Sequence, residues 1–126
     1  MPAIAAISIN DSVPAAQSFT PLNLDSTGVA RYGTSAAVFD AKSIITHSVS
    51  LPKNGSTVTR VKQKIVIPIM DTVDTTKKVA EAFANIEYVL PKNASALVLA
   101  NLQAYVKNLA AHAVTTAAVG SFENVY

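Results

Sequence analysis

The stretch TVTRVKQKIVIPI, Thr57 to Ile69, decides how the rest of the chain is read. Its β-branched residues alternate with polar ones and no glycine interrupts it, which is the pattern of a strand. Successive side chains of a strand point to opposite faces. Arg60, Lys62, Lys64 and Val66 therefore share one face, and Val61, Gln63, Ile65 and Ile67 share the other. Three cations two residues apart make a basic row on one side of a sheet.

Upstream, Lys42 to Leu51 reads as the neighbouring strand. It connects through Pro52-Lys53-Asn54-Gly55, whose Asn-Gly pair is a strong hairpin signal. Ile44, Thr46, Ser48 and Ser50 alternate there with Ile45, His47, Val49 and Leu51, so a hydroxyl row can lie beside the basic row. Nearer the start, Ala3 to Ile9 and Gln17 to Leu22 form an expected hairpin, turning through Asn10-Asp11-Ser12 and Pro14. Asp25-Ser26-Thr27-Gly28 is a second turn, followed by a short strand from Val29 to Tyr32.

Downstream, Asp71 to Lys77 is a polar, Thr-rich loop whose sequence allows alternative conformations. From Lys78 to Leu90 the alternation resumes. Glu81, Phe83, Asn85 and Glu87 lie on one side, and Ala82, Ala84, Ile86, Tyr88 and Leu90 on the other. Past Pro91 the pattern turns helical. Asn93 is the expected N-cap of a helix from Ala94 to Leu109, with Leu99, Leu102, Val106 and Leu109 on one side, widened by Val98 and Tyr105. A second short helix covers Ala113 to Val119 and ends at Gly120. Strands first and helices last predict an α+β fold, with helices on one side of an antiparallel sheet.

The length of 126 residues is that of one domain. Its parts are a hairpin over 1–24, a sheet over 29–90 and helices over 93–120. Half of the residues are apolar and 14% are charged, with no Trp, so the surface is aliphatic enough to expect coverage by partner subunits. The absence of Cys excludes disulfides and thiolate metal sites. No secretory signal is expected, because MPAIAAISIN lacks a basic start and a long apolar core. No membrane span is expected either: Asn101, Gln103, Lys107, Asn108 and His112 interrupt the most apolar stretch.

Nothing in the sequence reads as an active site, a metal site or a cofactor site, and no enzyme is expected. His47 and His112 have no carboxylate at ligand spacing; they read as a packed strand residue and a helix-end residue favourable to the dipole. Glu81 and Glu87 share a strand face, but a flat sheet offers no cleft for paired acid catalysis. They are expected to be solvated or to pair with the neighbouring basic row.

That row is where chemistry concentrates. The net charge is only +2, yet Lys42, Lys53, Arg60, Lys62 and Lys64 follow one another without an intervening acid. An exposed strand face carries such charges routinely, and lysines also discourage edge pairing. Thr46 and Ser48 add hydroxyls able to bond phosphate or base edges. Phe83, of the same parity as Asn85, is either a ring on which RNA bases stack or a core filler.

Together these strings resemble the coat proteins of the single-stranded RNA bacteriophages, the leviviruses, over essentially the whole chain. The matching strings are Gly28-Val29-Ala30 before Tyr32, Thr46-x-Ser48 before the hairpin, and Lys62-x-Lys64 running into Val66-Ile67-Pro68. Phe83-x-Asn85-x-Glu87 before Leu90-Pro91, and a closing Tyr126, complete the set. The resemblance implies an N-terminal β-hairpin plus a five-stranded antiparallel sheet, with two C-terminal helices lying over the partner's sheet in an interlocked homodimer. It implies assembly of dimers into an icosahedral T=3 shell around single-stranded genomic RNA. A maturation protein would join the shell in the virion, and the chain would be made in the bacterial host cytoplasm.

By position, the resemblance gives Val29, Thr46, Ser48 and Lys64 a pocket for an unpaired adenine of an RNA hairpin, whose binding represses replicase translation. Phe83 stands where the family usually has Tyr, and would stack a base. Asn85 and Glu87 would contact the RNA nearby. Lys62 falls where Thr is typical, and with Arg60 and Lys64 it supplies phosphate binding that needs only charge and position. The Asp71 to Lys77 loop takes the place of the family loop that gathers at the shell's vertices. The alternative reading is a dimeric RNA-binding regulator that forms no shell.

Overall fold

The computed structural model describes residues 4–13, 15–53, 55 and 57–124. The expected Pro14, Asn54 and Tyr126 features, and the start of the first strand at Ala3, lie outside the described residues. Six strands come first: β1 (Ile7–Asn10), β2 (Ala16–Leu24), β3 (Ala30–Gly33), β4 (Ile44–Ser50), β5 (Val58–Met70) and β6 (Lys78–Pro91). Two helices follow, α1 (Ala96–Ala111) and α2 (Ala113–Ser121). The chain divides into two compact units, residues 1–89 and 90–126.

In the first unit each strand hydrogen-bonds to the next, in the order β1-β2-β3-β4-β5-β6. This is the α+β class expected, with one difference of detail. The hairpin is continuous with the sheet, because β2 is long enough to pair with β1 through Ala16–Phe19 and with β3 through Thr20–Leu24. A register shift between Pro21 and Asn23 interrupts the β2–β3 ladder, as a β-bulge does.

Register sorts the side chains. Tyr32 lies opposite Ile45, and Ile45 opposite Ile65, so three large apolar groups form a row across β3, β4 and β5. The buried residues Phe19, Ala30, Tyr32 and Ile45 form the core, and Ile7 and Ile65 pack against it. His47 belongs to this face: it pairs with Gln63 across the strands and their side chains meet at 3.2 Å. The packed-strand reading of His47 therefore holds.

Turns are built by aspartates. Asp11 Oδ1 accepts from the Val13 and Ala15 amides, both at 3.0 Å, closing the β1–β2 turn. Asp71 Oδ1 accepts from Val73 at 2.8 Å, while Asp74 Oδ1 accepts from the Thr76 amide at 3.1 Å and hydroxyl at 2.6 Å. The polar Asp71 to Lys77 loop is thus shaped from inside by two carboxylates, a side-chain turn chemistry that Asp supplies. The Thr76 hydroxyl and amide also hold the Asp74 carboxyl below its ordinary value.

In the second unit α1 starts two residues later than expected. The Ala94 amide bonds Pro91 O in a turn, and the N-cap is Ser95, whose Oγ accepts from Val98 N at 3.3 Å. Asn93 is a good capping residue by type, but the chain is still turning there. His112 ends α1 and at once caps α2, its Nδ1 accepting from Val114 N at 3.2 Å. The histidine expected at a helix end thus stands at the end of one helix and caps the start of the next. α2 runs through Gly120 to Ser121, and Phe122, at φ +57°, closes it in a left-handed cap. Neither helix buries a residue.

Candidate nucleic-acid interface

The other face of the first unit's sheet carries the site. In the β4–β5 register Thr46 lies opposite Lys64, Ser48 opposite Lys62, and Ser50 opposite Arg60. The hydroxyl row and the basic row are therefore adjacent ladders, as strand parity predicts. Arg31, opposite Thr46 on β3, extends the row, but its guanidinium is engaged with Asn23 at 3.4 Å and Asp25 at 3.5 Å.

β6 completes the surface with its odd-numbered residues. The Lys64 ammonium sits 4.5 Å from the centroid of the Phe83 ring, and Arg60 Nη1 donates to Glu87 Oε1 at 2.8 Å. Phe83 is 56% exposed, so it is not the core filler that parity alone allowed. Glu87 takes the cross-strand pairing expected for an acid beside the row. Glu81 instead pairs with Lys78 on its own strand, at 3.3 Å.

Between these groups lies an open depression of about 480 Å³, lined by Val29, Thr46, Ser48, Lys62, Lys64, Asn85 and Glu87, with Gln63 and Ile86 between them. Seven of the nine residues singled out in the sequence line it. The other two adjoin it: Phe83 beneath Lys64, and Arg60 bonded to Glu87. Gln63 and Ile86 escaped sequence reading because their parity assigns them to the opposite face.

The β2–β3 turn delivers Val29 to this rim. Asp25 Oδ1 accepts from the Thr27 hydroxyl at 2.6 Å, the Thr27 amide at 2.9 Å and the Val29 amide at 3.0 Å. The Thr27 hydroxyl and the Val29 amide are the main causes holding the Asp25 carboxyl at about 2, and Arg31 adds to them. Gly28, at φ +85°, takes a backbone conformation that a side chain would strain.

Chemically the depression offers hydroxyl and amide hydrogen-bonding groups, an exposed ring and cations on a shallow floor. Among the described residues no His, Cys, Asp or Glu cluster could hold a metal ion. Among the described residues no helix is long and apolar enough to cross a membrane.

The levivirus coat protein family model matches residues 2–126, and the chain belongs to that family. Its role is accordingly that of a structural capsid protein. Among solved structures, the virus-like particle of Beihai levi-like virus 21 is similar at TM-score 0.91 and 25% identity, covering 99% of both chains. The virus-like particle of bacteriophage ESE058 matches at TM-score 0.85 and 20% identity, over 99% of this chain and 100% of that one. A bacteriophage structure described as an unassembled coat protein dimer and RNA-binding dimer shares the fold at TM-score 0.65 and 15% identity, over 98% of each chain. A search of curated protein sequences found no match.

Proposed function

We propose that the chain pairs with a second copy, that the dimers close into an icosahedral T=3 shell, and that the basic face holds single-stranded genomic RNA. The observation that carries the RNA reading is the depression. Residues from four segments of the chain, Val29, Thr46 with Ser48, Lys62 with Lys64, and Asn85 with Glu87, converge on one open floor. Lys62 and Lys64 supply phosphate binding, Thr46, Ser48 and Asn85 supply hydrogen bonds, and Phe83 supplies a stacking face. A hairpin with an unpaired adenine seated there would make the same face a repressor of replicase translation. A maturation protein would complete the virion, after synthesis in the bacterial host cytoplasm.

The assembly reading is supported by the apolar surface. Leu97, Tyr105 and Leu109 of α1 are 70%, 69% and 62% exposed, and Val119 of α2 is 74% exposed. Helices with such surfaces need a cover, and a partner's sheet would supply one. Obligate dimer interfaces resemble a domain core cut in half. The similar solved particles and the unassembled dimer are the two end points of this reading.

The test is the mass of the purified protein by size-exclusion chromatography with light scattering, read with its ultraviolet absorbance spectrum. A megadalton particle with nucleic-acid absorbance is the expected result. A dimer that stays nucleic-acid-free when concentrated at low salt would overturn the packaging shell. A dimer that binds RNA yet never grows would establish the non-assembling regulator instead.

A further inference from the structure

Of the three β5 cations Arg60, Lys62 and Lys64, Arg60 is the one that the protein already pairs with a carboxylate among the described residues. Its guanidinium meets the Glu87 carboxylate at 2.8 Å from the neighbouring strand, both side chains being just under half exposed. Lys64 lies over an uncharged ring and keeps its full charge. Lys62 is exposed and, among the described residues, has no ion-pair or hydrogen-bond partner. Counting Glu87, the three-cation row therefore presents two net positive charges.

A carboxylate on a guanidinium stands where a phosphate oxygen would stand, since the Arg fork matches both groups in shape and charge. A phosphate approaching Arg60 must displace Glu87 or lie against it as a like charge. Resting on the RNA-face reading, we infer that Glu87 determines specificity by holding Arg60 as an internal phosphate mimic. RNA that offers only phosphates gains Lys62 and Lys64 and little more. RNA that also seats a base among Thr46, Ser48 and Asn85 gains contacts that offset the displacement of Glu87. The Arg60 contact is thus reached by one ligand and denied to the other, which is how a difference in affinity arises.

The test uses the full chain and its Glu87→Gln variant, which keeps the size and an acceptor oxygen and removes the charge. Oligouridylate, which forms no stable hairpin, is the probe, and fluorescence anisotropy is followed between about 50 and 200 mM salt. The variant is expected to bind oligouridylate up to about fivefold tighter at the low-salt end, the upper range for an exposed ion pair. Its log affinity should fall with log salt more steeply by about 0.7, the value of one single-strand phosphate contact. Arg60→Gln alone, which leaves Glu87 unopposed, should bind more weakly than wild type. The double variant Arg60→Gln/Glu87→Gln should return to the wild-type slope, and it also controls for misfolding of either single variant. Unchanged or weaker oligouridylate binding by Glu87→Gln overturns the inference, as it would if Glu87 accepted a hydrogen bond from a base. If neither wild type nor Glu87→Gln binds oligouridylate, the RNA-face reading falls with it.

Discussion

Replacing Lys62 and Lys64 together by Ala tests the basic face directly. Both side chains line the depression, at ladder positions opposite Ser48 and Thr46. Each phosphate neutralised on a single strand contributes about −0.7 to the slope of log affinity against log salt. With Arg60 held by Glu87, the two lysines give the wild type a slope of about −1.4 per face. Over a rise from about 50 to 200 mM salt the wild type then loses about sevenfold in affinity, and the double variant loses almost nothing. The two proteins should differ most at low salt and converge as salt rises, because the lost interaction is the screened one. The single variants separate charge from stacking. Lys62→Ala removes a charge alone, whereas Lys64→Ala also strips Phe83 of the cation over its ring. A fluorescence-anisotropy titration with oligouridylate at several salt concentrations reads the slope. Equal slopes for wild type and the double variant would refute the phosphate-binding role of the row.

Four further outcomes are expected. The Asp25 carboxyl is depressed to about 2 by the Thr27 hydroxyl and the Val29 amide. The turn it closes is therefore fully held above the ordinary carboxylate value and lost only as pH falls through about 2; a Val29 amide NMR shift titrating near 4 would contradict this. Ser95→Ala should cost about 1 kcal/mol in urea unfolding, with Ser95→Asp retaining most of it, because the N-cap oxygen satisfies Val98 N. Ile45→Ala should cost about 2 to 4 kcal/mol by the same measurement, since Ile45 is buried between Tyr32 and Ile65 in the central row. Ending the chain at Pro91 should leave insoluble protein on expression, and a soluble, folded truncation would refute the view that the helices cover a sheet.

Strand parity made most of this structure readable in advance. Once Thr57 to Ile69 is taken as a strand, Lys62 and Lys64 must share a face, and any antiparallel neighbour with Thr46 and Ser48 in phase sets hydroxyls beside them. Parity could not say which of Glu81 and Glu87 meets Arg60, because that depends on the register of β6 against β5. It also left Phe83 undecided until its exposure and the position of Lys64 were known. Helix starts were harder, because Asn93 and Ser95 are both good capping types and only the turn from Pro91 O to Ala94 N selects the second. The Asp71 to Lys77 loop was read as a loop, but not its internal hydrogen bonds. Its threonines drew notice, whereas Asp71 and Asp74, which bond the backbone two residues on, set its shape. The shift between Pro21 and Asn23 was not read from the sequence, since it depends on how β2 pairs with β3.

The same parity explains how a short chain carries two unlike surfaces on one sheet. Even-numbered residues of β4 and β5 and odd-numbered residues of β6 face the depression, while Ile45, Ile65 and Tyr32 face the core. A slip of one residue in any strand would exchange these sets, burying lysines and exposing the apolar row. Register therefore has to be fixed by something stronger than the exposed charged pairs, which contribute little individually. The buried row across β3, β4 and β5 supplies that constraint, and the His47–Gln63 contact beside it adds a polar match that a slipped register would break. The chemistry of the depression is consequently specified from behind. Substitutions in the core row should disturb RNA binding through the placement of Thr46 and Lys64, whereas substitutions among the lysines should leave the fold intact.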